Sequence, residues 1–66
     1  MTNEIIKEMV TEINGWITLA KYEYDEQGFT TWYQRTTDRI NGMCRMLNIA
    51  TGKSVTWDRN GVTIKE

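Results

Sequence analysis

Apolar side chains in this chain keep two different periods, and the switch between them limits the folds open to it. Ile5, Ile6, Met9, Val10, Ile13, Trp16, Ile17, Ala20 and Tyr24 follow the three-and-four spacing of an amphipathic helix for about five turns. Thr2 or Asn3 can cap its start, and Glu4 and Glu8 suit the positive end of its dipole. Phe29, Trp32, Tyr33, Thr36, Ile40, Met43, Cys44, Leu47 and Ala50 form a second helical stripe beyond Gly28. Thr31 and Gln34 have capping-box spacing, and Gly52 is placed to end the helix in a left-handed conformation, with Lys53 beside its negative end.

After Gly52 the apolar residues alternate. Val55, Trp57, Val62 and Ile64 fall on one face of an extended chain, with Thr56, Asp58, Thr63 and Lys65 on the other. Asn60-Gly61 between them is the strongest short-range hairpin signal and predicts a two-residue turn that sets Trp57 opposite Ile64. Two strands alone are marginal, so their apolar face is expected to lie on the helices. The fold class predicted is α+β: a helical hairpin followed by a C-terminal two-stranded antiparallel β-hairpin, in the order ααββ.

A rival order, αββαββ, comes from Asn14-Gly15, which can stop the first helix early. Trp16–Tyr24 and Phe29–Thr36 are rich in aromatic residues and threonine, as strands are. Glu23, Asp25 and Glu26 would also sit badly at a helix C-terminus. The helices are preferred because their stripe continues through Gly15.

Size and composition exclude more than they reveal. Residues 1–66 have room for one domain, and a chain this short buries only about 60% of its unfolded surface. There is no histidine, and the single cysteine, Cys44, has no partner within the chain, so a zinc site of the cysteine/histidine kind is excluded. No metal and no cofactor is expected. The cysteine usage, the lack of a ~20-residue apolar run and the lack of a signal-peptide pattern predict a cytoplasmic protein without membrane contact.

The net charge of −1 is unevenly spread. Residues 1–28 hold six carboxylates and two lysines, a net of −4; residues 29–66 hold six cations and three carboxylates, a net of +3. Either the halves pack so that their charges meet, or a basic surface faces an anionic partner.

Gly52-Lys53-Ser54 has the ending of a phosphate-binding loop, but Leu47 stands where its first glycine belongs, and the order is helix-to-strand rather than strand-to-helix. Cys44 lies on an apolar stripe with no histidine to activate it, which marks a small core side chain. Glu4, Glu8 and Glu12 recur every four residues as a solvated helical edge, with no facing cluster for acid–base work. The chain is therefore not expected to be an enzyme. Trp16, Trp32 and Trp57 are expected in the core; stacking on bases or anchoring an interface is the alternative.

Gly15 and Gly42 each follow an Ile-Asn pair, and each costs about 1 kcal/mol against alanine inside a helix. At 100° per residue both project away from the main stripe. Arg35, Arg39, Gly42, Met46 and Ile49 line up as a second stripe on the same helix, a candidate partner-binding surface. Gly15, Leu19 and Tyr22 form a shorter counterpart. The competing use of Met46 and Ile49 is to support the β-hairpin.

The helical hairpin around Tyr22–Tyr33, followed by Arg39-Ile40-Asn41-Gly42-Met43 and Leu47–Trp57, resembles the very short accessory proteins of bacteriophages and mobile elements, including anti-CRISPR proteins. The resemblance rests on size and arrangement and carries over no functional residue. It implies a non-enzymatic inhibitor or adaptor that occupies a surface on a host macromolecular complex. Two other readings stand beside it. One is a small nucleic-acid-binding module using Arg35, Arg39, Arg45, Lys53 and Arg59, against which the acidic N-terminal half counts. The other is a structural homo-oligomer that completes a small core by pairing with its copy.

Overall fold

A computed structural model describes residues 2–66. Helix α1 spans Asn3–Gln27, α2 Thr31–Thr51, strand β1 Ser54–Asp58 and β2 Gly61–Lys65, which is the ααββ order. The two helices lie side by side, and the antiparallel hairpin covers one face of the pair; the Cα atoms span 37 × 17 × 15 Å.

The helix ends have local causes. Thr2 caps α1, its hydroxyl accepting from the Ile5 N–H at 3.2 Å. Gly28 closes the helix with φ +74° and donates its N–H to the Tyr24 carbonyl at 2.8 Å. The cap of α2 is Thr30, one residue before the expected Thr31, because its hydroxyl accepts the Tyr33 N–H at 3.1 Å. Gly52, at φ +70° and ψ +11°, ends α2 in the left-handed conformation expected, and the Asn48 side chain donates to the Lys53 carbonyl just beyond.

The αββαββ alternative is not realised: α1 runs through Asn14-Gly15 without interruption. Asn14 breaks helices when its side chain bonds to its own backbone, but here its Oδ1 accepts the Val62 N–H at 2.9 Å. The acidic C-terminal turn also finds tertiary partners. Asp25 takes both oxygens to Arg59 Nη2, at 3.0 and 3.1 Å. Glu23 Oε1 lies 2.7 Å from the Thr36 hydroxyl.

The hairpin has the predicted faces but a different register. Trp57 pairs with Val62 rather than Ile64, Val55 with Ile64, and Asp58 with Gly61. Asp58 Oδ1 accepts the Asn60 N–H at 2.8 Å, starting the reversal early and placing Arg59-Asn60 at the turn. Within the hairpin Gly61 alone takes positive φ, +133°, so the strain of a positive φ at Asn60 is avoided. Because the pairing slides by two residues, Val55, Trp57, Val62 and Ile64 keep their common face. All four are half-buried against the core.

That core consists of Ile13, Ile17, Ala20, Ile40, Cys44 and Leu47, with Ile40 and Leu47 wholly excluded from solvent. Each buried isoleucine or leucine contributes roughly 1.5–3 kcal/mol over an exposed one. Thr36 is the only buried polar side chain among the described residues; its hydroxyl serves Glu23 or the Trp32 carbonyl, 3.0 Å away.

Candidate docking face

The repeated Ile-Asn-Gly triplets organise both sides of the helical pair. Successive side chains on a helix turn by 100°, so each triplet sends its isoleucine inward, its asparagine to one side and its glycine, about 200° on, to the outer back of the helix and tilted away from the asparagine. Ile13 and Ile40 fill the core. Asn14 holds β2 through the Val62 N–H, and Asn41 Oδ1 accepts the Trp57 Nε1 proton from β1 at 2.6 Å. The two asparagines thus clamp one strand each. Gly15 and Gly42 point away from the hairpin, and a Cβ at either would meet nothing within 4 Å.

The hairpin leaves the glycine side of the pair uncovered. Met9, Glu12, Ile13, Arg39, Gly42, Met43, Arg45 and Met46 line an open depression of about 580 Å³ there, and its exposed surface is almost wholly apolar. Met46 is 64% exposed and Ile49 66%, so neither supports the β-hairpin. Leu19 and Ile5 are exposed on α1. At helical spacing both share the side of α1 that carries Met9, Glu12 and Trp16.

Two cations lie across this face. The Arg39 guanidinium sits 4.6 Å from the Trp16 ring centroid, and Trp16 Nε1 donates to Glu12 at 3.3 Å. Arg35 lies 5.5 Å over Trp32. Stacking on an exposed ring is worth roughly 0.5–1 kcal/mol, enough to hold these long side chains along the surface. All five predicted partner-binding residues, Arg35, Arg39, Gly42, Met46 and Ile49, are exposed.

The basic set proposed for nucleic acid is dispersed. Arg35 and Arg39 lie on the uncovered face, Arg59 pairs with Asp25 at the hairpin turn, and Lys53 pairs with Glu66 at 3.1 Å. Arg45 borders both the depression and a mixed-polarity groove beside β1. Among the described residues the opposed charges of the two halves meet in one ion pair, Asp25–Arg59.

Of the three tryptophans, Trp16 and Trp57 pack against the core, whereas Trp32 is 65% exposed, contrary to the expectation for it. Phe29 and Tyr22 are also exposed near it. Cys44 is buried, and desolvation pushes its thiol pKa up, away from the thiolate a nucleophile needs. Among the described residues no three acidic or cysteine side chains are grouped to hold a metal ion, and no helix is long and apolar enough to cross a membrane.

Sequence reasoning singled out the glycines of the two triplets and missed the asparagines. The repetition of Ile-Asn was the available signal, since one amide at the same helical angle on each helix can reach the same covering element. Comparison of the chain with protein-family models, with curated proteins and with solved structures found no match.

Proposed function

We propose that this chain is a non-enzymatic protein-binding domain, an inhibitor or adaptor that docks through the face of the helical pair turned away from the β-hairpin. The observation that carries this reading is the exposure of Met46 and Ile49 beside the open, almost wholly apolar depression at Gly42. Large apolar side chains gathered around a concave surface mark interaction sites, whereas singly scattered ones do not. The glycine lets a partner helix or loop approach the α2 backbone closely, and the stacked arginines supply a polar rim.

The resemblance in size and arrangement to anti-CRISPR and related phage accessory proteins directs the reading to a host defence complex. The test is plasmid survival in bacteria carrying active CRISPR–Cas systems, with the chain or its Met46→Asp variant co-expressed. The expected result is survival raised by the wild type and not by the variant. Equal protection by both removes the face from the reading; no protection in any host tested removes the anti-defence role.

A further inference from the structure

We infer that, in the absence of another partner, the uncovered face takes a second copy of this chain, forming a two-fold symmetric four-helix dimer with the β-hairpins outermost. This rests on reading the face as a docking surface and names its first occupant. Three observations favour a copy over an unrelated helix.

The first is charge. Glu12, Glu23 and Glu26 border the clefts on the α1 edge, with Glu8 one turn from Glu12, while Arg35 and Arg39 lie along α2. A two-fold axis parallel to the helices sets α1 of each copy over α2 of the other, acidic edge on basic edge. The other axis lying in the interface, across the helices, sets α1 on α1 and brings like charges together. The face is self-complementary in one orientation only.

The second is register. Rotation about an axis parallel to the helices leaves the level of every residue along them unchanged, so intramolecular neighbours predict intermolecular ones. Arg39 lies over Trp16, which sets Trp16 level with the turn between Arg39 and Gly42. The indole of one copy then lies level with the gap that Gly42 leaves at the edge of the depression in the other. The Thr36–Glu23 hydrogen bond sets Glu23 level with Arg35, and both Met9 and Met46 border the same depression. A large residue meets a small one, a carboxylate meets a guanidinium, and methionine meets methionine.

The third is area. The long face of a body 37 × 17 × 15 Å across offers about 600 Å² per copy, which brings the total near the lower bound of roughly 1,200 Å² for a stable interface. The expected dimer is therefore a weak one in exchange with monomer. A host protein using the same face has to displace the copy.

Sedimentation of the full chain from micromolar to millimolar concentration tests this. The wild type is expected to pass from monomer to dimer, with its tryptophan fluorescence shifting as water leaves Trp16, a shift that Trp16→Phe removes. Gly42→Arg is expected to stay monomeric with unchanged helical circular dichroism, because a Cβ at this position meets nothing within 4 Å and the rest of the side chain can extend into the open depression. Glu23→Arg and Arg35→Glu are each expected to weaken dimerisation by a factor of about 1.5–5, and the double exchange to restore it. A strict monomer at millimolar concentration overturns the second copy, and leaves plasmid survival to judge the docking face independently. A dimer that Gly42→Arg leaves intact, or that ignores both charge reversals, overturns the interface.

Discussion

The two faces of the helical pair are built from the same two helices, yet one is covered and the other open. On the covered side Asn14 and Asn41 each hold a strand, and Val55, Trp57, Val62 and Ile64 lie against the core. On the open side the matching positions are Gly15 and Gly42, and the apolar residues Met46 and Ile49 face solvent. The contrast lies in directed polar bonds more than in hydrophobicity. Apolar contact alone does not choose which side a short hairpin covers, whereas an amide that accepts one particular N–H does. A helix side with no such acceptor stays available to something else.

Five substitutions sharpen that contrast, and the first also measures what both faces share. Ile40→Ala removes a side chain wholly excluded from solvent and is expected to cost about 2–5 kcal/mol in urea unfolding, close to the whole stability of a domain this small. Asn14→Ala leaves the part-buried Val62 N–H without its acceptor. It is expected to cost about 1–3 kcal/mol and to speed hydrogen exchange in β2 ahead of the helices. Equal exchange in strands and helices after this change would show that the clamp does not select the covered face.

On the open face the sign reverses. Gly42→Ala meets nothing within 4 Å, and its φ is not positive, so it is expected to stabilise the fold by about 0.5–1 kcal/mol. The same change at Gly61, where φ is +133° and Asn14 Oδ1 would lie 3.0 Å from the new Cβ, is expected to destabilise instead. The smallest effect belongs to Arg59→Ala. Its pair with Asp25 is more than half exposed, so the loss is expected to be under about 1 kcal/mol and to fade with added salt.

Much of the fold could be read before any coordinates. The stripe through Ile13, Ile17 and Ala20 and the stripe through Ile40, Cys44 and Leu47 both name the buried side chains. Gly28 and Gly52 mark the helix ends because their positive φ is a local property. Local chemistry misled at the turn. Asn60-Gly61 has the composition of a two-residue turn, yet Asp58 offered the chain an earlier hydrogen bond and the turn moved to Arg59-Asn60. The acidic end of α1 misled for a different reason: its compensation by Thr36 and Arg59 comes from residues 13 and 34 positions away, beyond the reach of any local rule.

The candidate face was half legible. Helical spacing alone places Arg35, Arg39, Gly42, Met46 and Ile49 on one stripe, but spacing is equally consistent with that stripe lying under the hairpin. Amino-acid order determined the elements, their caps and their inward faces, because these depend on neighbours within about four residues and on a fixed angular step. Only the tertiary structure decided which flank of the helices the strands cover, because that choice rests on Asn14 and Asn41 meeting groups 48 and 16 residues further along the chain.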